Sequence, residues 1–262
     1  MPRQFTATRE VVTRSVEGPV VRTTYKQIHE RALRVSQALD RVGIKLGDRI
    51  ATIAWNTARH LECWYGIMGI GAICHTVNPR LFPEQIAWIV NHARDRIVIT
   101  DLTFVPMLEQ IAAKLPSIER YVILTDTTHM PETTLKSAIA YEDWIAERDG
   151  DFKWRTFDEN TAAAMCYTSG TTGDPKGVLY SHRSNVIHSL MANSKDALGT
   201  SAADTMLPVV PLFHANSWGI AFSAPSMGTK PVIRARSSTA LRCSNCSIPR
   251  TSPAPPACPR CG

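Results

Sequence analysis

No stretch of this sequence reaches the roughly eighteen consecutive apolar residues that a membrane-crossing helix requires. The nearest, Leu61 to Val77, is interrupted by Glu62, three glycines and His75. It reads as a buried helix running into a strand. The amino terminus, Met1-Pro2-Arg3-Gln4-Phe5, lacks the layout of a secretory signal. The expectation is a soluble cytoplasmic protein with at most peripheral membrane contact.

Acidic residues are missing from one end. Residues 231–262 hold five arginines and no Asp or Glu, and so carry most of the formal net charge of +6. Without them, 24 basic residues face 23 acidic ones. A near-neutral body excludes a nucleic-acid partner held by a broadly basic surface. Cysteine and proline are as lopsided: four of seven cysteines and six of seventeen prolines fall in the same 32 residues. The chain has two compositions, and they change near Lys230.

The longer part shows alternating patterns. Residues 1–22 carry little signal. Thr24 and Gln27 fit a capping box, and Ile28, Ala32, Val35 and Leu39 follow at helical spacing until Gly43. Ile50 to Trp55 reads as a buried strand, Thr57 to Met68 as a helix, and Ala72 to Val77 as a strand. Pro83-Glu84 opens a helix ending near His92. Arg96 to Thr100 and Tyr121 to Leu124 are strands flanking a helix over Phe104 to Lys114. Residues 125–160 read as an irregular surface connection, with a short helix around Tyr141 to Glu147. Strands alternating with helices imply parallel βαβ units, so the fold class is α/β. Met206 to Pro211 reads as a further strand.

The most chemical stretch is Tyr167-Thr168-Ser169-Gly170-Thr171-Thr172-Gly173-Asp174-Pro175-Lys176-Gly177. Its glycines let backbone N–H groups converge on an anion. Its hydroxyls add donors, and Lys176 adds a point charge suited to phosphate. It is not a Walker A loop, because Asp-Pro separates Gly173 from Lys176. It lies between two strands, Thr161 to Tyr167 and Val178 to Tyr180, with Ser181 or Ser184 capping the next helix through Ala192. Clusters of Ser, Thr, Gly and Pro are usually plain solvated loops, so the order of the residues carries the reading.

This loop resembles the signature of the AMP-forming adenylating enzymes, the group that contains acyl-CoA synthetases, luciferases and peptide-synthetase adenylation domains. Cys74-His75-Thr76-Val77-Asn78-Pro79-Arg80-Leu81, Tyr180-Ser181-His182-Arg183 and Pro208-Val209-Val210-Pro211-Leu212-Phe213-His214-Ala215-Asn216-Ser217-Trp218 look like the medium- or long-chain fatty-acid–CoA ligases. The resemblance covers residues 10–230. It implies part of the large N-terminal domain of that family, left incomplete, with residues 1–230 as a partial adenylation domain. It implies the substrates fatty acid, ATP and coenzyme A, with Mg2+. A carboxylate would attack the α-phosphate of ATP, and the coenzyme A thiol would then take the acyl group. Thr168, Ser169, Gly170, Thr171, Thr172, Gly173 and Lys176 would surround the β- and γ-phosphates. Lys176 and His214 would be the catalytic pair, the first neutralising departing pyrophosphate and the second near the carboxylate. Phe213 and Trp218 could line the acyl tunnel, although aromatics at such spacing are more often ordinary core. Cys166 has no His or acid partner that would make it a nucleophile. Asn78 and Pro79 read as structural. The family's magnesium-binding glutamate, ribose-binding aspartate and C-terminal catalytic lysine have no match in this sequence.

The tail allows two readings. Cys243-Ser244-Asn245-Cys246 and Cys258-Pro259-Arg260-Cys261 form a C-x2-C pair of pairs that could hold zinc. The chain would then be a nucleotide-binding remnant with a zinc knuckle, acting as a binding module. A single-base slip between Lys230 and Arg234 accounts for more. Shifted codons over Ile233 to Ile248 can spell a Pro-Gly turn and an amphipathic helix, and those over Pro256 to Gly262 can spell another family-like stretch. The slip also explains the missing acids and the excess of Arg, Ser, Pro and Cys. Residues 231–262 are therefore expected to be a poorly ordered, out-of-frame tail with no bound metal.

Overall fold

The computed structural model describes residues 4–168 and 174–235. Its strands are β1 (Glu10–Arg14), β2 (Val20–Thr24), β3 (Arg49–Ile53), β4 (Ile73–Thr76), β5 (Ile97–Thr100), β6 (Arg120–Ile123), β7 (Ile139–Ala140), β8 (Ala162–Thr168), β9 (Lys176–Ser181), β10 (Thr205–Met206) and β11 (Lys230–Arg234). Its helices are α1 (Gln4–Ala7), α2 (Tyr25–Arg41), α3 (Ala58–Gly69), α4 (Pro83–Ala93), α5 (Val105–Ile111), α6 (Tyr141–Ala146), α7 (His182–Ala192) and α8 (Ile220–Met227). None of these helices is long and apolar enough to cross a membrane.

The larger sheet has seven strands in the order β7-β6-β5-β3-β4-β8-β9. All neighbours are parallel except β8 and β9, which form an antiparallel pair. The α/β expectation holds. The chain moves from β3 to β4 in one direction, then back across β3 to β5. Right-handed crossovers in opposite directions place their helices on opposite faces. Strand side chains alternate accordingly. Ile50, Ile97, Ile99 and Val122 join the core under α2, α3 and α6. Ala51, Ile53, Val98, Tyr121 and Ile123 join the core under α4 and α5.

The helix starts follow local chemistry. At α2 the Gln27 amide donates to Thr24 Oγ1 at 3.2 Å, and the Thr24 amide donates to Gln27 Oε1 at 2.9 Å. Two orphan donors of the first turn are thereby satisfied. Ser181 caps α7 by accepting from the Ser184 amide at 3.1 Å. Pro83 opens α4, where its missing N–H costs nothing.

Residues 10–24 form a hairpin that the sequence pattern does not announce. With β10 and β11 it makes a second sheet, ordered β10-β11-β1-β2, in which β1 pairs in parallel with β11. An ionic network ties this sheet to the larger one. Glu17, in the hairpin turn, meets Arg59 at 2.6 Å. Arg59 meets Glu142 at 2.8 Å, and Glu142 meets Arg31 at 3.0 Å.

The expected strand over Met206 to Pro211 shrinks to the two residues of β10. Pro208 and Pro211 have no amide to donate to a ladder. The segment after β10 is held instead by a side chain, described below. At the other end, β11 runs past the compositional boundary at Lys230, and Ile233 is buried against the main core. The four tail cysteines lie outside the described residues.

Candidate active site

The carboxyl ends of β3, β4 and β8 all lie on one edge of the larger sheet. In open α/β sheets, ligands bind at this edge, where adjacent connections leave in opposite directions. Here that point falls between β3, whose connection leaves towards β4, and β5, whose connection leaves towards β6. The Val210–Ser217 segment lies beside it, over the ends of β3, β4 and β8. Asn56, three residues after β3, accepts from the Leu212 amide at 2.7 Å and donates to the Val210 carbonyl at 3.0 Å. Thr76, the last residue of β4, donates to Asn216 Oδ1 at 3.4 Å. The Ala215 amide reaches the Cys166 thiol on β8.

His214 leaves this segment exposed to solvent. Its amide donates to the Pro211 carbonyl at 3.0 Å, and its carbonyl accepts from the Ser217 amide at 2.9 Å. The next four residues, Ala215 to Trp218, have φ between 43° and 52°. For L-residues this left-handed backbone costs about 1–2 kcal/mol per residue. Such strain persists only where the surroundings fix it. Buried Asn216 and Ser217 do so, with Ser217 Oγ donating to the Val210 carbonyl at 3.0 Å. His188 of α7 closes the turn from outside through its Nε2, 2.9 Å from the Trp218 carbonyl. Gly219 is required beside it, since a Cβ there would lie 2.4 Å from the His188 ring.

The phosphate-loop candidate grows from the same edge. Thr168, at the end of β8, pairs with Lys176, at the start of β9. Thr168 Oγ1 donates to the Lys176 carbonyl at 3.5 Å. Both side chains are exposed, and Lys176 forms no ion pair with a described residue. Ser169, Gly170, Thr171, Thr172 and Gly173 lie outside the described residues. The loop root and His214 are thus brought to one edge, two residues from Cys166 on one side and one residue from Ala215 on the other.

Cys166 is buried, and burial pushes its thiol up, away from the reactive thiolate. Asn78 accepts from the Arg80 amide at 3.0 Å and so shapes its own turn. Phe213 is buried, its ring 6.5 Å from Trp55, whereas Trp218 is 59% exposed. Among the described residues no three His, Cys, Asp or Glu side chains converge as a metal site. These residues alone do not fit a protein-held magnesium, while the hydroxyl and ammonium of Thr168 and Lys176 fit a polyphosphate.

Asn56 escaped the sequence reading. Its one signal was a polar residue wedged between an apolar strand and the Thr57 helix cap. An apolar cavity of about 680 Å³ also escaped it. The cavity opens between α2, α3, α7 and α8, and is lined by Tyr25, Tyr65, Trp154, Phe157, Val186 and Phe222.

The parallel sheet closed by the antiparallel β8–β9 pair matches the fold of the N-terminal domain of the adenylate-forming enzymes. The model of the family described as AMP-binding enzyme matches residues 3–247, and the chain belongs to that family. The medium-chain-fatty-acid–CoA ligase of Ectopseudomonas oleovorans is 46% identical over 230 residues, 88% of this chain and 42% of that protein. The 3-methylmercaptopropionyl-CoA ligase of Ruegeria lacuscaerulensis is 45% identical over 86% of this chain and 42% of that protein. The long-chain-fatty-acid–CoA ligase of Thermus thermophilus is 41% identical over 86% of this chain and 40% of that protein. The chain spans about two fifths of the length of these relatives. Among solved structures, an anthranilate CoA ligase in complex with anthranoyl-AMP superimposes with a TM-score of 0.78 at 23% identity, over 89% of this chain and 43% of that one. A fatty acyl CoA synthetase of Mycobacterium tuberculosis gives 0.71 at 21% identity, over 86% of this chain and 41% of that one.

Proposed function

We propose that the chain carries the acid-activating part of a medium- or long-chain fatty-acid–CoA ligase. The observation behind this reading is the Thr168–Lys176 pair, set at the carboxyl edge beside the His214 segment. In the proposed reaction a fatty acid carboxylate attacks the α-phosphate of ATP. The acyl-adenylate forms and pyrophosphate leaves. The coenzyme A thiol then attacks the acyl carbonyl, and AMP leaves.

The protein's part in the first step is electrostatic. Charge grows on the leaving pyrophosphate, and donors fixed in advance stabilise it without reorganising. Lys176 supplies the positive charge, and the hydroxyls from Thr168 to Thr172 supply donors. His214 meets the carboxylate. The apolar cavity starts one turn beyond Gly219, at Phe222, and has the chemistry to take an acyl chain. Magnesium, when bound, screens the phosphate charge.

Residues 1–262 contain no match to the family's magnesium-binding glutamate, ribose-binding aspartate or C-terminal lysine. We therefore propose that this chain alone binds nucleotide and pyrophosphate but turns over little. Pyrophosphate release from ATP, magnesium and octanoate tests this; robust turnover would show those groups to be dispensable. Lys176→Ala should weaken pyrophosphate binding about ten- to a hundredfold, as expected for a lost charge-assisted contact. Unchanged affinity would overturn the assignment of the loop. The out-of-frame reading of the tail, with a single-base slip between Lys230 and Arg234, carries over as part of this proposal. The coding DNA and the zinc content of the purified chain check it.

A further inference from the structure

Three side chains outside the loop converge on its first residue. Tyr167 immediately precedes Thr168 on β8 and pairs across the strands with Gly177. Its ring lies over that glycine: a Cβ at 177 would stand 3.1 Å from Tyr167 Cζ and 3.3 Å from the hydroxyl oxygen. An aromatic ring covering a cross-strand glycine shields backbone that would otherwise be open to water. The hydroxyl then reaches sideways to α4. Tyr167 Oη and His92 Nδ1 are 2.6 Å apart. A neutral imidazole accepts the tyrosine proton there, and an imidazolium donates its own, so the contact survives either state.

His92 is itself fixed. Trp88, one turn earlier on α4, stacks on it at 4.7 Å with an interplanar angle of 11°. The Trp88 ring also meets Tyr167 edge-on at 6.3 Å and 88°. Beneath lies His75 of β4, its ring 5.2 Å from that of Tyr167 and its Nδ1 2.7 Å from Asp95 Oδ2, both side chains fully buried. Tyr167 is therefore gripped on three sides by residues from β4, α4 and β9. Few rotamers remain to it, and the backbone that carries Thr168 moves with it.

We propose that Trp88 and His92 are positioning residues, which act through Tyr167 to hold the two roots of the phosphate loop, Thr168 and Lys176, in register for a polyphosphate. The proposal rests on the loop being the phosphate site. It assigns α4, a helix with no part in the chemistry, to aiming that loop. Among the described residues β9 is the outermost strand of its sheet, with β8 as its one neighbour, so its register needs a second restraint beyond the ladder.

Two measurements on the full 262-residue chain separate the possibilities. The first is amide hydrogen exchange at Thr168, Lys176 and Gly177 without ligand. Tyr167→Phe and His92→Ala should each speed it about fivefold, the equivalent of one hydrogen bond. His92→Asn, whose amide can take the Nδ1 position, should restore the slow rate, and His129→Ala, on an exposed turn, should leave it unchanged. The second is inorganic pyrophosphate affinity by calorimetry. Tyr167→Phe should weaken it by a similar factor, with recovery again in His92→Asn relative to His92→Ala. Unchanged exchange in the variants overturns the anchor. Faster exchange with unchanged affinity makes the cluster structural and overturns the positioning role. A wild-type chain that does not bind pyrophosphate overturns the phosphate-loop reading instead, while the exchange rates still decide the anchor.

Discussion

Helices α2 and α7 both start with a hydroxyl cap and both carry apolar residues at helical spacing. They end up in opposite circumstances. On α2, Ile28, Val35 and Leu39 are buried. On α7 the only buried residue is Ser189, while Val186, Leu190 and Met191 are 60%, 69% and 66% exposed. The strands repeat the contrast: all four residues of β5 are buried, whereas most of β9 is exposed. An apolar stripe specifies a helix face, but burial needs a second surface that the stripe cannot supply. The part from β3 to β8 has such surfaces on both faces of its sheet. For the part from β9 onward, the described residues supply one side only.

The contrast can be tested by mutation, from large effects to small. Trp64 on α3 is fully buried, its ring 6.0 Å from that of Phe222 on α8. Trp64→Ala should cost about 3–5 kcal/mol of stability, seen as a lower urea midpoint. A loss below about 1 kcal/mol would mean that this core is no better packed than the α7 region. Charge probes the same closure. Asp101 is wholly buried, and burial pushes its carboxyl from 3.8 up to about 7. With the folded value above the unfolded one, the folded protein holds an extra proton between them. The contribution to stability is full below pH about 4, declines as pH rises towards about 7, and is level above. Asp101→Asn keeps an oxygen for the Trp55 amide, which now donates to Asp101 Oδ2 at 2.6 Å. It should remove that decline, on the order of 4 kcal/mol across the window, in urea midpoints measured from pH 4 to pH 8. A parallel pH profile in the variant would show that the group is not closed off from water. Leu190→Glu should change stability by less than about 0.5 kcal/mol, the usual range for a surface site, while raising solubility. A larger loss would reveal a covering surface for α7.

Local chemistry was legible in the sequence and distant partnership was not. Thr24 with Gln27, Pro83 and Ser181 mark helix starts because a cap is satisfied within four residues. The strands Ile97–Thr100 and Arg120–Ile123 stand out because burial on both faces leaves the continuous apolar runs Ile97-Val98-Ile99 and Tyr121-Val122-Ile123. The hairpin of residues 10–24 was silent because β2 is largely exposed and β1 waits for β11. The strand expected before His214 failed because Asn56, some 150 positions away in sequence, takes the role of a ladder partner. At the site, Thr168, Lys176 and His214 could be picked out by motif, and the structure brings their segments to one edge. The left-handed turn at Ala215–Trp218 could not be read, since no residue type there demands positive φ. The grip on Tyr167 was equally hidden, because it depends on helix α4 closing over strand β8.

The parallel pairing of β1 with β11 joins Val12 to Val232. A ribosome would release the first of these strands long before it made the second. Local pairs such as β1 with β2, or β3 with β4, can form as the chain emerges, but this join must wait until the chain has grown from Val12 to Val232. Strand β1 is thus made early and enclosed late. Meanwhile, the free side of β1 stays open to any other extended segment in the cell.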